Sequence, residues 1–379
     1  MKFRHKYLII CLTFWSLCSP WQVFAQDKFT LSGVVTETAT GETLIGVNIS
    51  IPEINAGAIS NAYGFYSITL PGDSYNVVFS SLGFITQQQS VDLTRSLLLN
   101  MEMSEDAEQL AEVVIKADVE ALDLKSPQMS VNTLTAQTIK NIPVLLGEAD
   151  VVKSLLLLPG VSNAGEGASG FNVRGGATDQ NLILVDEATI FNSSHLFGFF
   201  SVFNPDAIKD VKLYKGSIPA RYGSRVSSVL DIYQKEGNSK DFKVSGGIGA
   251  VASRILAEGP IKKDTAAFLV GARGSYAHLF LPLFDIENSA YFYDLNTKLN
   301  YKIDANNSLF LSGYFGRDYF GVNDSFIVNY GNALINFRWN HKFSEKIFSN
   351  LSLIYSDYYY GLELDFVGFK WNSGIQNFN

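Results

Sequence analysis

From about residue 290 the chain alternates. Tyr293, Leu295, Thr297, Leu299, Tyr301 and Ile303 interleave with Asp294, Asn296, Lys298, Asn300 and Lys302. Ala333, Ile335, Phe337 and Trp339 interleave with Asn332, Asn336, Arg338 and Asn340, with Leu334 alone out of step; Leu351, Leu353 and Tyr355 do the same with Asn350, Ser352 and Ser356. Successive side chains of a strand point to opposite faces, so period two over such a length requires strands with one apolar and one polar face. About ten residues is also what a tilted strand needs to cross a bilayer. Alternation by itself suits a soluble sandwich as well as a membrane barrel, and on these residues alone both readings stand.

The start of the chain bears on that choice. Lys2, Arg4 and Lys6 precede the apolar run Tyr7–Leu17, and Val23-Phe24-Ala25 follows. A basic start, a short apolar middle and a small residue at the cut make a secretory signal, with cleavage expected after Ala25. The apolar middle is about half of the ~20 residues that a spanning helix needs. Lipidation at Cys18 is the alternative, opposed by the bulky Leu17 before it. Cys11 and Cys18 are the only cysteines, so residues after 25 carry no thiol. Cleavage would remove three of the 29 Lys and Arg and none of the 37 Asp and Glu, taking the net charge from −8 to −11. Such an acidic chain has no general attraction for phosphate, which argues against a nucleic-acid partner. No later segment approaches 18 consecutive apolar residues, so any membrane crossing is by strands.

Residues 170–236 hold the densest set of short β-prone runs: Phe171–Arg174, Asn181–Asp186, Ile208–Lys215 and Ser228–Tyr233. Gly175-Gly176, Asn204-Pro205, Gly216 and Gly223 punctuate the turns between them. The succession Val173-Arg174-Gly175-Gly176, Leu184-Val185-Asp186, Lys209-Asp210-Val211, Tyr214-Lys215-Gly216 and Arg221-Tyr222-Gly223 resembles the plug domain of TonB-dependent outer-membrane receptors over about seventy residues. Upstream, Gly33-Val34-Val35, Gly41-Glu42-Thr43-Leu44, Gly46-Val47-Asn48 and Asn61-Ala62-Tyr63-Gly64-Phe65-Tyr66 resemble the carboxypeptidase-regulatory-like domain. Runs at Phe29–Thr36, Leu44–Ile51, Gly64–Leu70, Tyr75–Ser80 and Leu97–Met103 predict a small antiparallel sandwich there.

In the plug, a strand is expected at Ser130–Leu134, a short helix at Ala136–Asn141, and a longer helix at Leu145–Leu158, ended by Pro159-Gly160. Gly165-Glu166-Gly167-Ala168-Ser169-Gly170 spells a dinucleotide-binding pattern, but that motif needs a strand before it and a helix after, and here the order is reversed. The resemblance to receptors implies an energy-coupling box just before the plug, and Glu112-Val113-Val114-Ile115 matches it by position and type. An extended segment of that kind adds itself to a partner's sheet through backbone hydrogen bonds. The plainer reading makes Val113–Ile115 the last strand of the sandwich.

Taken together, the expectation is a mainly β chain: an N-terminal Ig-like β-sandwich, an α+β plug, then the first strands of a transmembrane antiparallel β-barrel. The divisions are 1–25 signal peptide, 26–104 sandwich, 105–118 linker with the coupling segment, 119–236 plug and 237–379 partial barrel. Export, aromatic density and a plug directly upstream favour the barrel over a soluble sandwich. Seven or eight strands are expected, at about 242–252, 251–258, 264–274, 291–303, 307–317, 331–342, 346–358 and 360–371, against about 22 for a plugged transporter. The chain therefore reads as cut within its barrel. Aromatic clusters at Tyr291–Tyr293, Tyr319-Phe320 and Tyr358–Tyr360 are expected near strand ends, as an aromatic girdle.

No enzyme is expected. His195, His278 and His341 are scattered, read as turn or strand-surface residues, and no metal set or cofactor motif accompanies them. Ser193-Ser194-His195 is adjacency rather than triad geometry. Asp186 and Glu187 could pair as acid and base, but the plug resemblance implies that Asp186 is a structural residue at a strand end, and that reading is preferred; Arg174, Arg221 and Arg225 are candidate partners for wall carboxylates such as Asp294. The plug motif residues singled out are Val173, Arg174, Gly175, Gly176, Asp186, Lys215, Gly216, Tyr222 and Gly223. Phe191–Phe203 is an apolar, aromatic loop: Phe191, His195, Phe197 and Phe199 either floor a ligand site or pack on the barrel wall.

The resemblance implies an outer-membrane transporter in lipid, with sandwich and plug on the periplasmic side. A TonB-type partner would move the plug, and the ligand would be a siderophore, glycan or similar, with or without a surface lipoprotein partner. The competing reading is a binding or signalling platform that transports nothing.

Overall fold

The computed structural model describes residues 27–106, 130–142, 148–165, 170–280, 288–323 and 325–379. The expected signal peptide and Glu112–Ile115 lie outside these residues, as do 145–147 of the longer helix and 166–169 of the glycine pattern.

The N-terminal unit is a sandwich of two four-stranded sheets. One is built on Lys28–Glu37, which pairs antiparallel with Phe65–Pro71 and parallel with Leu97–Leu98 and Met101–Met103. The other runs Ala56–Ile59, Asn48–Ile51, Ser74–Ser80, Gln87–Asp92. Leu31, Val35, Val47, Ile49, Ile51, Tyr66, Val77 and Phe79 fill the space between them. Three features depart from expectation. The parallel pairings replace an all-antiparallel sandwich, Leu97–Met103 breaks into two strands, and the two edge strands 56–59 and 87–92 are additional. Those edges are polar or small and alternate weakly, which is why their sequences do not announce strands.

The plug centres on a five-stranded mixed sheet in the order Ala188–Thr189, Asn181–Val185, Ser228–Gln234, Ile208–Tyr214, Val131–Thr135. Its two central strands, 181–185 and 228–234, run parallel, and every residue of both is buried. Buriedness on both faces explains their near-continuous apolar sequences. Phe171–Val173 stands apart, pairing with Val161–Asn163 as a ribbon. Helix α1 (Ala136–Asn141) forms as expected and is capped by the Thr135 hydroxyl, which accepts from Thr138 N at 3.2 Å. The second helix, α2, is shorter than expected, Val151–Leu155: Asp150 caps it, accepting from Lys153 N at 3.0 Å, and Glu148 and Ala149 lie outside the helix.

Eight strands then follow in strict sequence order as one antiparallel meander: β1 (Lys243–Ile248), β2 (Ala252–Lys262), β3 (Ala266–Ser275), β4 (Ser289–Lys302), β5 (Asn307–Val322), β6 (Phe326–Lys342), β7 (Phe348–Leu364) and β8 (Phe369–Phe378). The sheet is an open wall, since β1 and β8 each pair with one neighbour. Expected strand positions hold except at the end. Tyr358–Tyr360 lies inside β7, and the chain turns only at Asp365–Gly368, with Gly368 left-handed at φ 62°.

The wall is inside out by the standard of a soluble sheet. Asp294, Asn296, Lys298, Asn332, Asn336 and Arg338 are buried, while Leu295, Leu299, Ile335, Phe337, Leu351 and Leu353 on the opposite face are exposed. A sandwich buries the apolar face; a membrane barrel turns it outward and keeps the polar face on the lumen side. This decides between the two readings of the alternation. Leu334, the one residue out of step, turns inward and, with Tyr314, belongs to the same buried apolar cluster as the plug core. The break in the pattern marks where the plug core touches the wall.

Candidate functional site

The polar face of the wall grips the plug, and β4 does so at alternate positions. Asp294 Oδ2 meets His195 Nε2 at 3.1 Å, Lys298 Nζ reaches Asp186 Oδ2 at 3.0 Å and donates to Gln234 O at 3.0 Å, and Asn300 Nδ2 donates to Glu236 O at 2.7 Å. On β6, Asn332 acts as a surrogate backbone. Its Nδ2 donates to Asn192 O at 2.8 Å, and its Oδ1 accepts from Phe191 N and Asn192 N at 3.2 and 3.3 Å. Asn336 Nδ2 donates to Asp186 O. Polar residues facing a lumen are free to bond water; here they bond plug backbone and carboxylates instead, which fixes the plug's register against the wall.

Asp186 and Glu187 form the two-residue turn between 181–185 and 188–189, both with left-handed backbone at φ 46° and 72°. That is the conformation of a type I′ hairpin, where Asn-Gly is usual and side chains cost stability. The cost is offset by what the two carboxylates hold. Asp186 is fully buried, pairs with Lys298 and accepts from Gln234 N at 3.1 Å. Glu187 accepts from Ser352 Oγ at 2.5 Å and Asn350 Nδ2 at 2.9 Å, with Arg338 4.0 Å away. Both acids are structural and fasten the strand end to the wall.

His195 is the second fastening. It is buried, contrary to the expectation of a turn or strand-surface residue, with Nδ1 2.7 Å from Asp318 Oδ2 and its ring stacked 4.3 Å from Phe292. Arg273 ties the same site to the rest of the plug through Asp294 (2.6 Å), Glu148 (3.2 Å) and Ser201 O (2.8 Å). Burial alone would push the His195 pKa down, but the Asp318 and Asp294 carboxylates outweigh it and hold it above the usual histidine value.

The expected arginine contacts do not form. Asp294 is taken by Arg273 and His195, while Arg174 Nη2 reaches Ser130 Oγ at 3.3 Å, Arg221 lies over the Tyr222 ring at 4.7 Å, and Arg225 donates to Ser224 O. These arginines sit on plug turns whose neighbours are plug residues. The other motif positions stitch the plug internally. Lys215 Nζ donates to Pro159 O at 2.8 Å, and the Tyr222 hydroxyl donates to Asp231 Oδ2 at 2.5 Å. Burial pushes the Asp231 carboxyl up to about 6. Val173 is buried in the core, with Arg174 and Gly175 turning left-handed behind it. A Cβ on Gly176 would lie 2.2 Å from Ser227 Oγ, so only glycine fits. Gly216 packs against Arg174, and Gly223 lies in open space.

Burial is uneven along the loop 191–203. Phe200, Val202 and Phe203 are buried, whereas Phe197 and Phe199 are 40% and 59% exposed. Leu196 and Phe197 both have left-handed backbone, held there by Leu196 N donating to Asp318 Oδ1 (2.8 Å) and Phe197 N to Tyr330 Oη (2.9 Å). Lys153, Leu156, Phe197, Phe199 and Phe200 line a cleft of about 120 Å³. Phe191 is half-buried, its backbone tied to Asn332.

Comparison with known proteins agrees with this arrangement. A family model described as CarboxypepD_reg-like domain matches residues 31–115, a span that takes in Glu112–Ile115, and one described as TonB-dependent Receptor Plug Domain matches residues 123–228. A curated relative, TonB-dependent receptor P3 of Formosa agariphila, is 31% identical over 232 residues, which is 57% of this chain and 21% of the relative. The chain carries a TonB-dependent receptor plug domain behind a carboxypeptidase-regulatory-like domain and is similar to a TonB-dependent receptor over 232 residues. Its fold is that of solved siderophore receptors: PirA from Acinetobacter baumannii (14% identity, TM-score 0.50, covering 66% of this chain and 44% of that one) and PirA from Pseudomonas aeruginosa (17%, 0.50, 66% and 43%). The chain thus spans about a fifth of the curated relative and under half of each solved receptor.

Proposed function

We propose that this chain is part of an outer-membrane receptor for active uptake of a scarce ligand, a siderophore, glycan or similar. The observation that carries the reading is the wall's reversed polarity. Its apolar face is exposed, and its charged face is occupied by a plug held through Asp186–Lys298 and His195–Asp294–Asp318. A lumen filled this way admits nothing unless the plug shifts, and it is held by polar contacts that water can replace as they break. Phe197 and Phe199 form part of the ligand floor. A periplasmic TonB-type protein supplies the force by pairing with Glu112–Ile115, a backbone-driven contact that needs no side-chain chemistry. Sandwich and plug lie on the periplasmic side, reached by export through the signal at residues 1–25.

Deleting residues 110–116 tests the reading. Uptake should vanish while ligand binding at the cell surface persists. Unchanged uptake would remove the coupling assignment.

A further inference from the structure

The sandwich does more than precede the plug. It is docked onto both the plug and the wall, and the docking points converge on one end of the plug's central strands. Strands 181–185 and 228–234 are parallel neighbours, so their C-terminal ends, at Glu187 and Glu236, lie on the same side of the sheet. The sandwich holds both.

At the first point, Tyr63 projects from the turn after Asn61. Its hydroxyl donates to Glu187 of the plug and accepts from Asn350 of the wall. Its ring stacks on Phe348 of the wall at 5.5 Å, beside Phe65 at 5.2 Å from the same ring, with the Arg338 guanidinium 4.7 Å above. Glu187 is therefore bonded by wall and sandwich at once. At the second point, two carboxylates cap each other's backbone. Glu42 Oε1 accepts from Glu236 N and Gly237 N, each at 3.0 Å, while Glu236 accepts from Thr43 N at 3.2 Å and Thr43 Oγ1 at 2.9 Å. Lys209 of the plug stands 4.0 and 3.8 Å from the two carboxylates. Alongside, Ser239 N and Oγ both donate to Thr40 O at 2.9 Å.

A domain that served only as a spacer would need its covalent link and no more. Here an aromatic anchor, a cation over its face and a reciprocal pair of buried carboxylates fix its position, the kind of central cluster that dominates interface energetics. From this we infer that the sandwich is a clamp on the plug. Docked, it pins the ends of both central strands against the wall; the plug moves only after the sandwich lets go. The clamp rests on the uptake reading for what plug movement accomplishes, but its test does not require uptake.

Hydrogen exchange on the full chain in its membrane is the test, comparing wild type with the double variant Tyr63→Ala, Glu42→Ala. The amides to follow are those of Val211–Leu213 and Val229–Ile232, which lie in strands paired within the plug sheet. The clamp predicts exchange there about tenfold faster or more, with the sandwich's own core amides at Ile49 and Val77 unchanged. Wild-type exchange in the plug sheet would overturn it. Should the double variant unfold the sandwich, Glu236→Gln weakens the same contact from the plug side and leaves the sandwich sequence intact. It should accelerate plug exchange in the same sense, and failure to do so overturns the clamp. A receptor that takes up nothing, yet shows accelerated plug exchange in these variants, retains the clamp and loses the uptake reading.

Discussion

Replacing Lys298 by Met should loosen the plug more than any other single change on the wall. Lys298 and Asp186 are both essentially inaccessible to water, with Nζ and Oδ2 3.0 Å apart, and Nζ also donates to Gln234 O at 3.0 Å. Removing one partner of a buried pair leaves a charge without compensation, at about 3–5 kcal/mol. The orphaned Gln234 carbonyl belongs within that range rather than on top of it, since Met fills the same space and only the charge and its bonds are lost. A loss of that size raises the population of undocked plug by roughly two to three and a half orders of magnitude. Asp186→Asn alone should also destabilise, because it strands the ammonium. The double variant Lys298→Met, Asp186→Asn should recover much of the loss, giving a coupling energy of at least about 2 kcal/mol. Pulse proteolysis of the purified receptor across a urea series reads the plug's susceptibility directly. Susceptibility within about threefold of wild type for Lys298→Met, or strictly additive single effects, would refute the assignment of this pair as the main plug fastening.

Three further outcomes follow from the same geometry. Gly237→Ala should cost about 1–3 kcal/mol of plug–wall stability, since Gly237 is left-handed at φ 87° and a Cβ there would lie 2.6 Å from Phe268 O; thermal unfolding monitors it. Burial, opposed by Lys209 and reinforced by Glu236, pushes the Glu42 carboxyl up from 4.5 to about 7. The docked form therefore binds more protons than the undocked form, and the Glu42 contribution to docking falls as pH rises from about 4.5 through about 7. Glu42→Gln should abolish that part of the pH dependence, as followed by exchange at Glu236 and Gly237. His195 has a folded-state pKa above its usual 6.5, so its contribution is fully present below about pH 6.5 and is lost as pH rises through the raised value. His195→Asn should flatten plug susceptibility across that range and weaken the plug on the acid side.

Much of the architecture was legible because alternation is a local property. The wall strands, Leu334 as the exception, and the four runs of the plug could be read from neighbouring residues alone. The direction of the polar face could not. Asp294 and Lys298 look alike in sequence whether they meet water or a plug, and only export, aromatic density and the upstream motif favour the barrel. Long-range partners were likewise invisible: His195 with Asp318 is a contact across 123 positions, and Glu42 with Glu236 across 194. The arginines were misassigned because charge type was matched without geometry. Lys298 and Arg338 sit at inward positions of the alternating pattern, and a lumen-facing cation implies a buried acid opposite, which Asp186-Glu187 supplied. The sandwich's part in the plug interface left no such trace, since Tyr63 and Glu42 lie in turns whose composition is ordinary.

The central claim is that this plug closes the wall and must move against it to let ligand through. Asn192 and Asn332 offer a direct test, because Asn332 bonds the Asn192 backbone and no cysteine lies after residue 18 to interfere. Asn192→Cys and Asn332→Cys, joined by a short cleavable cross-linker in receptors on intact cells, would fasten plug to wall at one point. The account predicts that labelled ferric siderophore or glycan bound by the wild type still binds, that its uptake stops, and that cleaving the linker restores uptake. Undiminished uptake through the cross-linked receptor would contradict it.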